Sequence, residues 1–308
     1  MPRVSGKLVK QAARVSPLLP YLLRANPSLA QAQQELKWIQ AELPKHQWKN
    51  AVKRRNAYEP LQYILESQPF GSLDIICEKG VLIPRWETEE WCLKLSSVLS
   101  ILGKKNLSIL DSCTGTGCIP LLLNYELNQL ANLNSHIRAF DISSDAYRLS
   151  KRNHQAYSSL HPSSATNIKF IQANLFSESI VSHVGIQCAD LITSNPPYIP
   201  AHHYHKSVGL DGISRSVREY EPAEALIGHM EFYEALINNL VKPLSASGFV
   251  FELGYQEQAD YVYRMLKDTE EWRVGVLKDS ASNIRCVLGW KSNSPMRVLG
   301  QLCSSIYS

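Results

Sequence analysis

Asn195-Pro196-Pro197-Tyr198 sets an amide, two prolines and an aromatic ring in consecutive positions. They follow Ala189 to Ser194, a short apolar run that reads as a buried strand. Consecutive prolines donate no backbone hydrogen bonds and fix φ, so the chain leaves the strand in a stiff, extended segment with free carbonyls. Asn195 supplies a carboxamide at the strand's carboxyl end, and Tyr198 supplies an aromatic face. Carbonyl acceptors beside an aromatic plate suit a flat NH2 group, such as a carboxamide or an exocyclic amine. The simpler alternative is a strand-terminating turn, which Asn and Pro favour.

A second pattern lies upstream in Asp111-Ser112-Cys113-Thr114-Gly115-Thr116-Gly117. Gly115 and Gly117 let the backbone approach a ligand closely. The third glycine of a dinucleotide fingerprint is missing, as is the Gly-Lys-Ser/Thr of a phosphate-binding loop. Asp141 ends the neighbouring strand, where a carboxylate can accept from both hydroxyls of a ribose. It can equally cap the following helix together with Ser143 or Ser144. Asn174 and Leu175 follow the third strand, where an adenine ring could be held. A nucleoside without phosphates fits these features better than NAD.

These groups need a scaffold that brings strand ends together. Ser108–Leu110, Ile137–Phe140, Ile168–Ile171, Leu191–Thr193 and Phe249–Leu253 read as strands, alternating with helical stretches such as Ser144 to Tyr157. Such alternation predicts an α/β fold, a doubly wound and mostly parallel sheet with helices on both faces. Arg273–Leu277 and Ile284–Trp290 are separated by a link too short for a crossover helix, so the last pair must be antiparallel. Ahead of this core, Pro17 to Tyr58 is helical, with Asn26-Pro27 reading as a cap and Leu29, Ala32, Leu36, Ile39 and Leu43 forming an apolar face. Leu73–Ile76 and Val81–Ile83 read as a hairpin, and the helix after it is expected over Thr88 to Leu102. The expected organisation is a targeting segment over 1–16, a helical substrate-recognition domain over 17–70, a linking hairpin over 71–87, a catalytic domain over 88–290 and a loosely held polar tail over 291–308.

With 308 residues, 44% apolar content and a net charge of +4, the chain has the composition of a globular protein and no strong demand for an anionic partner. No run approaches the length needed to span a bilayer, so no membrane partner is expected. Seven cysteines without regular spacing point to reduced thiols. Arg3, Lys7, Lys10, Arg14 and Arg24 precede the first acid, Glu35, a bias typical of a mitochondrial leader; a basic first helix of a small domain is the alternative. Lys53-Arg54-Arg55 reads as a solvated face open to RNA or an acidic partner. His202, His203 and His205 read as a mobile lid or substrate-contact loop, with no metal expected, and Arg215 to Glu221 as a docking surface.

Taken together, these segments resemble the class I S-adenosylmethionine-dependent methyltransferases and, more narrowly, the HemK-type release-factor glutamine methyltransferases in their mitochondrial form. The narrower resemblance rests on Pro60-Leu61-Gln62-Tyr63-Ile64 and on Pro84 to Thr88 within Leu82 to Glu89; Val217 to Pro222 and Glu252-Leu253-Gly254 continue the series of matching segments. It implies methylation of the side-chain amide nitrogen of the glutamine in the Gly-Gly-Gln loop of a peptide-chain release factor, supporting translation termination in the mitochondrial matrix. It further implies that Cys113, Thr114, Gly115, Thr116 and Gly117 cradle the amino-acid part of S-adenosylmethionine, that Asp141 holds its ribose, and that Asn174 and Leu175 hold its adenine. Asn195 sits between cofactor and substrate in that scheme. Asn195, Pro196, Pro197 and Tyr198 would hold the glutamine, with Asn195, Pro196 and Tyr198 acting in catalysis. Two positions depart from the family pattern: Cys113 replaces a glycine and Trp86 a proline. An adenine-N6 methyltransferase of DNA or RNA would use the same tetrapeptide, but it calls for a basic channel that this charge does not supply. A non-catalytic organellar ribosome assembly factor is the other alternative.

Overall fold

The computed structural model describes residues 4–26, 28–131, 133–162, 166–205 and 213–307. Among the described residues up to Leu65 there are five α-helices: α1 (Gly6–Val15), α2 (Leu19–Leu22), α3 (Leu29–Glu42), α4 (Trp48–Asn56) and α5 (Leu61–Leu65). Their apolar faces close on Ala12, Leu19, Leu22, Leu36, Ile39 and Val52. The Ser5 side chain caps α1, whose Ala12 is buried while Lys7, Lys10 and Arg14 stay exposed. Gly6–Val15 is therefore a helix packed on this block.

Ser28, rather than Asn26, caps α3. Asn26 is buried and donates to the Leu22 carbonyl at 3.1 Å and to Glu35 at 2.7 Å, while Pro27 lies outside the described residues. The basic cluster at the end of α4 is likewise turned to internal use. Arg55 meets Glu35 at 2.9 Å and Arg54 meets Glu59 at 2.7 Å.

The hairpin differs from the sequence expectation. β1 (Ser67–Phe70) pairs antiparallel with β2 (Leu73–Ile76), closing through the two-residue turn Gly71-Ser72. Pro69 obscured the first strand, because proline inside a run argues against one. Val81–Ile83 forms no strand. Side chains take part of its backbone instead: the Tyr63 hydroxyl donates to the Val81 carbonyl at 2.7 Å and the Ile83 N–H donates to Glu221 at 3.1 Å, while the Val81 N–H turns back to the Glu78 carbonyl at 3.3 Å.

From α6 (Trp86–Ser100) onward, strands and helices alternate through β3 (Asn106–Ser112), α7 (Cys118–Ala131), β4 (Asn134–Asp141), α8 (Ser144–Leu160), β5 (Ile168–Gln172), β6 (Leu191–Ser194) and β7 (Gly248–Glu252). The chain ends with β8 (Trp272–Lys278), β9 (Ile284–Lys291) and β10 (Ser305–Ile306). The eight-stranded sheet has the order β10-β8-β9-β7-β6-β3-β4-β5. Its five strands from β5 to β7 run parallel, whereas β9, β8 and β10 are antiparallel to their neighbours. This is the α/β architecture of the class I methyltransferases. The strand order reverses at β3, which opens a crevice at its carboxyl end.

The tail is not loose. Met296 and Leu299 are fully buried on a turn of helix over Pro295–Leu302, and Ser305-Ile306 adds an edge strand to β8. Apolar residues among the polar ones seat it: Met296 and Leu299 enter the core, and Leu302 and Cys303 pack against it.

Candidate active site

Register brings the two motifs together. Asp111 and Ser112 at the end of β3 lie opposite Thr193 and Ser194 at the end of β6. Side chains tie the same pair, with Thr193 Oγ1 donating to Asp111 Oδ1 at 2.7 Å and Ser194 Oγ to the Ser112 carbonyl at 2.9 Å. Cys113 and Asn195, the next residues on each strand, therefore leave the sheet side by side.

A cavity of about 280 Å³ opens there. Cys113, Thr114, Gly115, Thr116, Asp141, Asn174, Leu175, Asn195 and Pro197 all line it. Three sequence-predicted residues are placed differently: Gly117, Pro196 and Tyr198 are not among the lining. Gly117 works from behind the wall. It has φ 82°, and a Cβ there would come within 2.9 Å of the Phe170 ring, so only glycine lets the turn close on β5. Within the tetrapeptide Pro196 is buried, and Tyr198 at its end is half-buried.

Asp141 ties the glycine turn to the start of the following helix. Oδ2 accepts from the Gly115 N–H at 2.9 Å and Oδ1 from the Ser143 N–H at 2.9 Å, while the side chain still faces the cavity. Burial raises its pKa above the ordinary carboxylate value, partly offset by those backbone bonds. The Ser143 hydroxyl caps α8. Asn174 Oδ1 accepts from the Phe176 N–H at 2.9 Å, which bends the chain after β5 and brings Leu175 and Phe176 to the cavity.

Several lining residues were not foreseen. Val81 to Arg85 form one wall, and Thr88, Ile142, Glu224 and Phe232 complete it. Arg85, from the expected linking hairpin, and Glu221, from the expected docking surface, form a pair. Arg85 Nη2 donates to both Glu221 oxygens at 2.8 Å, and that carboxylate also takes the Ile83 N–H. The expected docking surface after Arg215 is thus partly an internal clasp. Arg215 lies 4.5 Å from the centre of the Tyr58 ring, and Tyr220 donates to the Ala57 carbonyl at 2.9 Å.

Behind Asn195 lies a buried polar group. Asn195 Nδ2 donates to Thr88 Oγ1 at 3.3 Å, Thr88 Oγ1 to Glu252 Oε2 at 2.7 Å, and Trp91 Nε1 to the same oxygen at 2.8 Å. The Tyr198 hydroxyl donates to Glu252 Oε1 at 3.3 Å. Gly254 packs under Tyr198, where a Cβ would come within 3.0 Å of its ring. The expected histidine loop is a short helix, Ala201–Tyr204, capped by His205, and His203 Nδ1 is 2.8 Å from the Tyr255 hydroxyl. Among the described residues no three metal-ligating side chains converge, and no helix is long and apolar enough to cross a membrane.

No protein-family model matches the chain. Full-length relatives do. The mitochondrial MRF1 N(5)-glutamine methyltransferase of Saccharomyces cerevisiae is 37% identical, over 99% of this chain and 94% of its own. The probable mitochondrial counterpart of Schizosaccharomyces pombe is 35% identical over 88% and 91%. A release factor glutamine methyltransferase of Clostridium botulinum is 31% identical over 80% and 81%. The chain belongs to the release-factor glutamine methyltransferase family. Among solved structures, the catalytic domain of human METTL16 bound to an RNA hairpin superposes with a TM-score of 0.53 at 16% identity, covering 80% of this chain and 83% of that one. That likeness shows the fold alone.

Both departures from the family pattern have a visible setting. Cys113 adopts φ 57°, the left-handed conformation that glycine takes freely. Trp86 opens α6 beside the cavity wall and is 52% exposed.

Proposed function

We propose that this protein transfers a methyl group from S-adenosylmethionine to the side-chain amide nitrogen of the glutamine in the Gly-Gly-Gln motif of a peptide-chain release factor, in the mitochondrial matrix. The observation that carries the reading is that one cavity is lined both by the Cys113–Thr116 turn with Asp141 and by Asn195 and Pro197. Full-length relatives named as mitochondrial glutamine methyltransferases support it.

The residues fit the cofactor's chemistry. Cys113, Thr114, Gly115 and Thr116 hold its amino-acid end, and Asp141 accepts from the ribose hydroxyls. The apolar surface of Ile142, Leu175 and Phe176, beside Asn174, takes the adenine. When bound, S-adenosylmethionine supplies an electrophilic methyl group. The substrate nitrogen is a poor nucleophile because its lone pair is delocalised into the carbonyl. Asn195 Oδ1 and the Pro196 carbonyl accept its two N–H groups, which orients the nitrogen and favours the positive charge that builds on it. Pro197 lines the cavity beside the amide, and Tyr198, held by Glu252, supports the turn from behind. Catalysis comes from alignment and preorganised acceptors.

Purified protein, S-adenosylmethionine and release factor should yield a Gly-Gly-Gln peptide one methylene heavier by mass spectrometry. Asn195→Ala should lower turnover about 10²–10³-fold, the range for removing one preorganised polar group, with cofactor affinity nearly intact. Label from the cofactor appearing in nucleic acid and not in release factor would overturn the proposal.

A further inference from the structure

An asparagine can present either its oxygen or its nitrogen to a ligand, and only the oxygen accepts from a substrate NH2 group. At Asn195 that choice is made from behind. Glu252, at the end of β7, is fully buried. Its Oε2 receives the Trp91 indole N–H at 2.8 Å, and an indole nitrogen can only donate. The same oxygen receives Thr88 Oγ1 at 2.7 Å. Thr88 has a single hydroxyl proton, and it is directed at Glu252, so its lone pairs are what remain for Asn195. Asn195 Nδ2 stands 3.3 Å from that oxygen and must donate to it, which turns Oδ1 the other way.

We propose that Thr88 and Glu252 are positioning residues that polarise a hydrogen-bonded chain so that Asn195 presents its oxygen to the substrate amide. The inference rests on the methyl-transfer reading above and adds what orients its acceptor. Glu252 Oε1 also takes the Tyr198 hydroxyl at 3.3 Å, so one carboxylate fixes both ends of the tetrapeptide. A hydrogen-bonded network of this kind holds its members in one arrangement only when every donor has an acceptor.

The polarity of the chain requires the ionised carboxylate. Arg285 favours that form and Glu87 opposes it. Tyr198, Tyr233, Cys92, Cys118 and Cys286 also face Glu252, all with pKa values pushed upward by burial, so they stay neutral around neutral pH. Burial likewise raises the Glu252 carboxyl above the ordinary carboxylate value. Once protonated, Glu252 carries a donor where it now has only acceptors. Facing Thr88, that donor reverses the chain to Asn195; facing Tyr198, it removes the phenol's acceptor. Either loss lowers turnover as pH falls.

The test uses the full chain with release factor and S-adenosylmethionine, both saturating, across a pH series. Thr88→Val keeps the side chain's shape and removes the hydroxyl, and it should lower kcat on the order of 10²-fold, the cost of a misplaced reacting group. Thr88→Ser restores the hydroxyl and should recover most of the rate. Glu252→Gln can keep its oxygen on Thr88 and Trp91, because Trp91 demands an acceptor there. Its NH2 group then faces the Tyr198 hydroxyl in place of an acceptor, so kcat should be lower than wild type at neutral pH but should lose its acid-side fall. Wild-type turnover in Thr88→Val, or Thr88→Ser no better than Thr88→Val, would overturn the proposal. An unchanged acid-side fall in Glu252→Gln would overturn the part assigned to Glu252. A wild-type protein that leaves the release factor unmodified would instead sink the methyl-transfer reading itself.

Discussion

Cys113 carries the main local strain of the cofactor turn. Its φ of 57° costs a residue with a side chain about 1–2 kcal/mol, because Cβ crowds the following carbonyl. Glycine there relieves that crowding but loses more chain entropy on folding, so Cys113→Gly should leave stability within about 1 kcal/mol of wild type. A β-branched side chain adds bulk at the same φ. Cys113→Val should therefore lower stability by a further 1–2 kcal/mol or so. Thermal unfolding of the two variants checks both, and a stabilising Cys113→Val would contradict the strain. Residues of this kind were legible from sequence, as were Asp141 and Asn195, because their chemistry sits in short contiguous motifs. Thr88 and Glu252 were visible only as parts of family signatures. Thr88 lies 107 positions from Asn195 and 164 from Glu252, and no local spacing reveals which of these polar groups meet.

Elements were readable where apolar periodicity was strong and misread where side chains replaced backbone pairing. The run Val81–Ile83 has a strand's composition, yet a tyrosine hydroxyl, a glutamate and the turn carbonyl of Glu78 take its backbone groups, so it lines the cavity instead of pairing. The tail failed for the opposite reason. Its polar average hid an apolar stripe, and Leu299 and Met296 fill the space over Gly248, where a Cβ would meet both at 2.9 Å. Leu299→Ala should accordingly cost about 2–5 kcal/mol, as for other fully buried leucines, since backbone on one side and sheet on the other prevent collapse of the cavity. Denaturant titration measures this directly. A loss below half a kcal/mol or so, the usual effect of a surface substitution, would show the tail to be detached in solution.

At the scale of the whole molecule, alternation fixed the parallel sheet and the short final link fixed its antiparallel end, while the register that seats Cys113 beside Asn195 needed the structure. The same register buries Asp111 completely between β4 and β6. Burial pushes its carboxyl up to about 7 from 3.8, against the hydroxyls of Thr114 and Thr193. An acid whose folded value exceeds its unfolded value binds more protons folded than unfolded, so its contribution to stability is greatest at acid pH. That contribution declines as pH rises from 3.8 to about 7 and is constant above. Asp111→Asn keeps an oxygen for Thr193 and offers an NH2 group to the Thr114 hydroxyl, without the charge. The stability of the variant relative to wild type should therefore increase through that pH window and level off beyond it. Unfolding measured at a series of pH values tests the sign, and parallel profiles for the two proteins would rule out a buried, ionising Asp111 as the source.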